Sequence, residues 1–269
     1  MNNQNIIMIV GAPRSGTTLL SGLITGSEKC FPNLPECTFI TQAIKHYFDI
    51  VNYSDKERFS IYAKDVDTLS KVYRLHVDNM IDVVKSHFNN ANYDFLVFKD
   101  PEISPYVDLI PSFFPKCKIV YIVRDPRAVI SSMLQVYVKK GQYSTCSNGN
   151  FLDSTVMQVA TEIYNYYHII HTSQVFKTGN VYVVSYEKLI DDREHCLNTL
   201  EGYLGYQLSG DAFERNAFEF DHDDPTFSEN YGNNIVKPAS SYSDYLSSEQ
   251  ITQIKKMYSG LNMTYNWWE

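Results

Sequence analysis

Short apolar runs alternate with longer amphipathic stretches along most of this chain. Apolar residues recur every three or four positions from Ser154 to about Phe176, which predicts an amphipathic helix. Strands that alternate with helices predict an α/β fold, in which a central, mostly parallel sheet is flanked by helices in three layers. Four runs rich in β-branched residues have the length of buried strands: Ile6 to Val10, Phe95 to Phe98, Lys118 to Val123 and Val181 to Ser185.

Capping signals predict where two further helices begin and end. Asp191 and Asp192 are N-cap residues for a helix that stops at Gly205, a typical C′ residue. Ser247, followed three residues later by Gln250, is a capping box that opens a helix near the end of the chain.

The chain is expected to form a single domain over residues 1–269. Its hydrophobic content of 44% is ample for one core. Residues from about 52 to 90 are predicted to form a polar, helical insertion without a strand of its own. Residues from about 221 to 245 are predicted to form a loop that is longer than most connections, as lids often are.

The charge, the N-terminal sequence and the cysteines argue against several kinds of ligand, membrane segment and metal site. A formal net charge of −8 disfavours nucleic acid and anionic lipid, so an anionic ligand needs a local basic cluster. The N-terminal sequence MNNQNIIMIVGAPRSG has neither a basic n-region nor an apolar run long enough for a membrane span. Five scattered cysteines without a C-x-x-C pair predict a reducing, cytoplasmic location and no thiolate metal site.

The first apolar run leads into GAPRSGTTLL, which nearly matches a P-loop. Gly11, Gly16 and Thr18 fit the pattern, but Thr17 stands where the nucleoside-triphosphate motif has lysine. A strand-to-helix turn of this kind presents backbone N–H groups and a helix N-terminus to an anion. An ordinary turn, the alternative, would not need so many donors. The candidate anion ligands are Arg14, Ser15, Gly16, Thr17 and Thr18.

A second cluster lies in KIVYIVRDPRAVISSM. Arg124 follows a predicted strand, and Pro126 opens a helix that carries Ser132. Because parallel strands end at one edge of the sheet, Arg124 is expected near the first loop, where it can hold a second phosphate. The alternative is a surface pair of Arg124 with Asp125, and Arg127 is interpreted as a helix-face charge.

Together the two motifs resemble those of sulfotransferases that use 3′-phosphoadenosine 5′-phosphosulfate (PAPS). The resemblance implies a P-loop-like fold, PAPS as the cofactor, its product PAP, and no metal. It also implies that the loop from Arg14 to Thr18 grips the 5′-phosphosulfate, while Arg124 and Ser132 grip the 3′-phosphate.

The finer pattern is similar to the tyrosylprotein sulfotransferase branch and its bacterial relatives. That branch has P-R-S-G-T-T, a glutamate about twenty residues on and a K-D-P motif, which match Arg14, Glu36 in LPECTF and Lys99 in VFKDPE. The resemblance implies that Glu36 is the general base and that Arg14 and Lys99 stabilise developing charge. The alternatives are a solvated Glu36 in a helix that begins near Pro35 and a surface Lys99.

Two weaker matches complete the candidate nucleotide ligands. Tyr186 in VVSYEKLI resembles a tyrosine that approaches the nucleotide, and Lys237 in IVKPASS resembles a lysine in the segment that covers it. A half-buried structural role is the alternative for Tyr186. Relatives often have a basic residue beyond the Lys-Pro segment, whereas this chain has Asp244, which leaves the geometry of the lid open.

The sequence therefore predicts a sulfotransferase that moves the sulfuryl group of PAPS to a hydroxyl acceptor by in-line displacement. The acceptor is a peptide tyrosine or a carbohydrate or small-molecule hydroxyl, and a homodimer is left open. Two other interpretations stay open at this point: a phosphotransferase with a degenerate P-loop, and a non-catalytic nucleotide-binding protein.

Overall fold

The computed structural model describes residues 5–88, 93–144, 151–209, 215–217 and 241–269. Lys237 and the part of the predicted lid at residues 221–240 lie outside the described residues. Asp244, at the far end of that predicted lid, caps a short 3₁₀ helix, since its Oδ2 accepts a hydrogen bond from the Ser241 N–H at 2.8 Å.

Four parallel strands form the sheet, in the order β2-β1-β3-β4. Within the sheet β1 pairs with β2 through Ile9 and Lys99, and with β3 through Met8 and Ile119. The predicted strands and their parallel arrangement are confirmed, with bounds that differ by no more than one residue. The strands are β1 (Asn5–Val10), β2 (Phe95–Lys99), β3 (Lys118–Val123) and β4 (Val181–Ser185).

Helices connect these strands and follow the last of them. The α-helices are α1 (Thr17–Thr25), α2 (Thr38–Tyr53), α3 (Lys56–Ala63), α4 (Val66–His87), α5 (Ile110–Phe113), α6 (Pro126–Lys139), α7 (Asp153–Thr172), α8 (Gln174–Lys177), α9 (Tyr186–Asp191), α10 (Arg193–Leu204), α11 (Ser248–Met257) and α12 (Ser259–Tyr265). The 3₁₀ helices are Pro101–Leu109 and Tyr242–Asp244. No helix in the described ranges is long and apolar enough to cross a membrane.

Each strand contributes side chains to two separate cores, because successive residues of a strand point to opposite faces. Ile7 and Ile9 of β1 pack with apolar residues of α1, α9 and α10. Met8 and Val10 pack on the other face, with residues of α2, α4, α6, α7 and α11. This confirms the predicted three-layer α/β fold, with helices on both faces of the sheet.

Capping predictions were correct at two helix termini, and the predicted end of the long helix was wrong. Helix α10 ends at Gly205 in the left-handed conformation, and the Ser247 capping box opens α11. The long helix stops at Thr172 rather than near Phe176, because extended Ser173 caps the next turn by accepting the Phe176 N–H.

Removal of a core side chain from α7 should destabilise the whole fold. Ile163 is fully buried, so Ile163→Ala is expected to lower the free energy of unfolding by about 2–5 kcal/mol through lost burial and a residual cavity. Urea titration monitored by circular dichroism measures this change. Ile61, which is 82% exposed on α3, provides the matched control, and Ile61→Ala should have little effect. Equal losses in the two variants would contradict the assignment of the core.

Candidate active site

The site lies where two central strands send their connections to opposite faces of the sheet. The chain leaves β1 toward α1, which packs on one face, and leaves β3 toward α6, which packs on the other. Beyond the carboxyl ends of these two neighbouring strands the diverging connections form a crevice, the position at which doubly wound sheets bind ligands. The loops after β1 and β3 therefore meet at this edge, as the sequence predicted.

The loop after β1 has a backbone built to receive an anion. Arg14 and Gly16 have positive φ angles of 68° and 103°, which turn the chain sharply into α1. Gly16 is the N-cap of α1 and offers no side chain to cap it, and the first turn holds no acidic residue. The first N–H groups of the helix thus point into the crevice without a capping side chain from that residue.

Ser15 stabilises the turn itself. Its N–H and its hydroxyl both donate to the carbonyl oxygen of Ala12, at 3.2 Å and 2.7 Å, and the residue is fully buried. The hydroxyl hydrogen of Ser15 is therefore used within the loop, while Thr17 and Thr18 are buried at the start of α1.

Ser104, which the sequence motifs did not indicate, anchors the start of this loop. Its hydroxyl accepts a hydrogen bond from the Gly11 N–H at 3.0 Å and donates to the Gly11 carbonyl oxygen at 3.1 Å. Ser104 is fully buried in the 3₁₀ helix that follows β2. Ser104 lies five residues after Lys99, close in sequence to the K-D-P motif. No periodicity or motif, however, indicates that a serine there binds the loop.

Arg14, Arg124 and Ser132 lie together at the crevice. The Arg14 Nε–H donates to Ser132 Oγ at 3.1 Å, and an Arg124 Nη1–H donates to the Arg14 carbonyl oxygen at 3.0 Å. The guanidinium carbon of Arg124 lies 4.2 Å from the centroid of the Tyr186 ring, in the geometry of a cation–π contact. Two positive charges, from the segments that follow β1 and β3, are thereby held close together.

Tyr186 also explains why residue 16 is glycine. A Cβ atom at Gly16 would lie 2.6 Å from Cδ2 of Tyr186, much closer than such atoms approach each other in folded proteins. The tyrosine ring therefore packs against both the Arg124 guanidinium and residue 16 of the anion loop.

The turn after β3 is fixed by neighbours from α7, α9 and the segment that follows α12. Tyr167 of α7 donates to the Arg124 carbonyl oxygen at 2.7 Å, and Glu187 of α9 accepts the Asp125 N–H at 2.8 Å. Arg127 is not the helix-face charge that was expected from the sequence: it is 8% exposed and pairs with Asp125 at 2.6 Å. Its guanidinium also packs over the Trp268 ring at 4.8 Å, so the pair braces the turn.

Glu36 and Lys99 form a second pair at the end of β2. Lys99 Nζ lies 3.5 Å from Glu36 Oε1, and the lysine side chain is 4% exposed while that of the glutamate is 49% exposed. Burial lowers the pKa of Lys99, although Glu36, Cys37 and Asp100 act in the opposite direction. Lys99 is therefore not the surface feature considered as its alternative. Helix α2 begins at Thr38, so Glu36 lies before the helix rather than in its first turn.

The two parts of the site are neighbours through the sheet. Lys99 pairs in register with Ile9, two residues before Gly11, at which the anion loop begins. The arrangement can hold an anion on the loop and place a buried ammonium and a solvent-accessible carboxylate next to it. In the part of the chain that the structure describes, no group of three or more His, Cys, Asp or Glu side chains is arranged to hold a metal ion.

Comparisons with known proteins agree on one kind of protein. Residues 6–210 match the profile described as the sulfotransferase family. A Caenorhabditis briggsae protein provisionally named a protein-tyrosine sulfotransferase is 23% identical over 265 residues, which cover 94% of this chain and 86% of that protein. Protein-tyrosine sulfotransferase 1 of Danio rerio is 24% identical over 201 residues, which cover 74% of this chain and 52% of that protein.

Solved structures show the same fold at low identity. The sulfotransferase domain from the curacin biosynthetic pathway is 19% identical, with a TM-score of 0.58 and coverage of 97% of this chain and 99% of that chain. A mouse sulfotransferase solved in complex with PAP is 12% identical, with a TM-score of 0.52 and coverage of 98% and 86%.

A methyl group at residue 16 should disturb the anion loop. Gly16→Ala combines the strain of a positive φ with a clash against Tyr186, and is expected to lower the melting temperature. Gly179 has a φ of 74° and open space around it, so Gly179→Ala is the control that contains the backbone strain alone. Differential scanning calorimetry should show the larger loss of melting temperature for Gly16→Ala. Adding Tyr186→Ala to the Gly16→Ala variant should recover part of the difference, because it removes the ring that the new methyl group meets. An equal loss in both alanine variants would argue against the clash.

The buried ammonium of Lys99 should leave a signature in the pH dependence of stability. Because its pKa is lowered on folding, the unfolded chain binds more protons between the folded pKa and 10.5, and the contribution of Lys99 to stability rises with pH in that window. The wild type should therefore gain stability relative to Lys99→Met between pH 7 and about pH 10, as measured by urea unfolding. A difference that is independent of pH, or that falls as pH rises, would contradict burial of the charged group.

Proposed function

The chain belongs to the sulfotransferase family, and on that premise we propose that it transfers a sulfuryl group to an acceptor hydroxyl with Glu36 as the general base. It is a PAPS-dependent transferase. The observation that carries the proposal is the contact between Glu36 and buried Lys99, next to an anion loop whose charge is supplied by Arg14.

The anion loop suits the 5′ end of PAPS. The start of α1 is free of a side-chain cap from Gly16 and lacks an acidic residue in its first turn, as an anion site requires. In the proposal, backbone N–H groups from Gly16 to Thr18 and the guanidinium of Arg14 hold the phosphosulfate, while Ser15 maintains the turn through its two hydrogen bonds to Ala12.

The 3′-phosphate is assigned to Arg124 and Ser132. Ser132 Oγ accepts from Arg14, so its own hydrogen can be donated to a phosphate oxygen. One face of the Arg124 guanidinium packs on Tyr186, which fixes the plane of the fork and so favours a bidentate contact. Arg14, which contacts Ser132, lies between the two phosphate positions and links them.

PAPS supplies the sulfuryl group, and the protein supplies the proton acceptor and the positive charge. In the proposed step the acceptor O–H proton moves to the Glu36 carboxylate while the acceptor oxygen bonds to sulfur. The bond between sulfur and the bridging oxygen breaks at the same time, and the electron pair stays on that oxygen. Lys99 and Arg14 stabilise the charge that develops there, an effect that is large in a site with little water.

The exposure of the two partners fits this division of roles. Glu36 is half exposed and can meet an acceptor that arrives from solvent, whereas Lys99 is almost fully buried and close to β1. We propose a phenolic hydroxyl, that of a tyrosine in a peptide, as the first acceptor to test, because two relatives carry names of protein-tyrosine sulfotransferases. Carbohydrate and small-molecule hydroxyls are the other outcomes of the test.

A reducing, cytoplasmic location is part of the proposal. The cysteines in the described ranges, Cys30, Cys37, Cys117 and Cys196, are all free. Burial raises the pKa of the Cys196 thiol and raises that of Cys30 to about 11, so these two thiols stay protonated and unreactive near neutral pH.

Replacement of the base should abolish transfer but leave nucleotide binding intact. With ³⁵S-labelled PAPS and a pool of tyrosine peptides, oligosaccharides and phenols, Glu36→Gln is expected to reduce label transfer by about 10²–10⁴-fold. Glu28→Gln, at an exposed glutamate outside the site, is the matched control and should retain full transfer.

PAP should raise the melting temperature of the wild type and of Glu36→Gln alike, since a ligand of the native state stabilises it. Equal labelling by Glu36→Gln and wild type would remove Glu36 from the mechanism. Stabilisation by ATP with Mg²⁺ but not by PAP would favour the phosphotransferase, and PAP binding without any labelled product would favour a non-catalytic protein.

A further inference from the structure

A buried carboxylate connects α2, which follows Glu36, to the end of β2, which carries Lys99. Asp100 directly follows Lys99 and is 1% exposed. Its Oδ2 accepts a hydrogen bond from the Thr41 hydroxyl at 2.7 Å, and its Oδ1 accepts one from the Glu102 N–H at 3.0 Å. Thr41 itself is 1% exposed. The contact therefore joins the first turn of α2 to the end of β2 without water between them.

The same two segments are also joined through the backbone. The Cys37 N–H donates to the Lys99 carbonyl oxygen at 3.0 Å, and the Thr41 N–H donates to the Cys37 carbonyl oxygen at 3.0 Å. Glu36 lies between Pro35 and Cys37, both outside the helix, so its position depends on how this short segment is held. The Thr41–Asp100 contact lies one helical turn beyond it and fixes the direction of α2 relative to β2.

Capping of the 3₁₀ helix does not by itself explain why Asp100 is buried and bound to Thr41. Asp55 and Asp65 also cap helices, α3 and α4, and each does so through backbone N–H groups while exposed to solvent. Burial raises the pKa of Asp100, because the charged form loses hydration there. A buried carboxylate bound to a side chain of a second element is a means of fixing one particular geometry.

We propose that Thr41 and Asp100 are positioning residues for the reaction and that they act through Glu36. This inference rests on the proposed function, because it assigns to the pair the task of holding the base against Lys99. Neither residue touches the reacting groups. Their hydrogen bond sets the separation between the Glu36 segment and the strand end, and errors of about 1 Å in such placement can reduce a rate by about 10²-fold.

The test is a set of threonine variants that separate the hydroxyl from its methyl group. Thr41→Val removes the hydrogen bond at nearly constant side-chain volume and is expected to lower kcat about tenfold or more. The kcat is measured with the acceptor that the wild type labels fastest. Thr41→Ser keeps the hydroxyl and should restore at least half of the wild-type kcat. The KM for PAPS and the Kd for PAP, measured by calorimetry, should change less than twofold in both. Thr161→Val is the matched control, because Thr161 is exposed on α7 and its hydroxyl donates within that helix, to the Met157 carbonyl oxygen.

The outcomes distinguish this inference from the proposed function. If Glu36→Gln is inactive and Thr41→Val keeps the wild-type kcat, the positioning role is overturned and the base stands. If Thr41→Ser is as slow as Thr41→Val, or if PAP affinity falls with kcat, the threonine has only a packing role and the inference is wrong. If Glu36→Gln is fully active, both proposals fail.

A second variant keeps the test decisive if Thr41→Val does not fold. Asp100→Asn retains one acceptor oxygen for the two donors, and its volume is nearly that of the native residue. It is expected to lower kcat with PAP affinity unchanged. A wild-type kcat in folded Asp100→Asn would overturn the inference equally.

Discussion

The parallel pairing of β1 with both β2 and β3 is the constraint on which the site depends. It brings three strand ends to one edge, and each end delivers a different group: the anion loop after β1, Lys99 at the end of β2 and Arg124 after β3. Because α1 and α6 leave toward opposite faces, the edge between β1 and β3 remains open to a ligand. Ser104 then fixes the loop to the segment after β2, so the separate parts hold one geometry.

Local electrostatics in the site oppose the charge of the whole protein. The chain carries a net charge of −8, yet Arg14, Arg124 and Lys99 converge on one crevice. Long-range attraction cannot gather an anion here, so binding relies on short-range contacts in a partly desolvated site. The aromatic ring of Tyr186 and the burial of Lys99 restrict the motion of these charges, which lowers the entropy lost when a ligand binds.

The sequence predicted the features that depend on local pattern. Apolar runs located the strands, and the glycine and hydroxyl pattern located the loop, because both follow from backbone geometry over a few residues. Predictions that depended on distant partners were less successful. Arg127 looked like a surface charge because Trp268, which covers it, lies far along the chain. Ser104 and Thr41 were missed for the same reason: a single serine or threonine in a helix carries no sign of the carbonyl or carboxylate that it meets. Lys237 stays a prediction.

At position 14 a strained backbone conformation coincides with a guanidinium placed in the candidate site. Arg14 adopts a φ of 68°, a conformation that glycine or asparagine accepts more readily than arginine. Directed evolution for heat resistance alone would therefore tend to replace this arginine, and would lose the guanidinium that lies between Ser132 and the loop. Under the proposed function, the positive φ at residue 14 is the cost of placing a guanidinium beside Ser132, so substitutions that stabilise the protein have to be sought elsewhere in the chain.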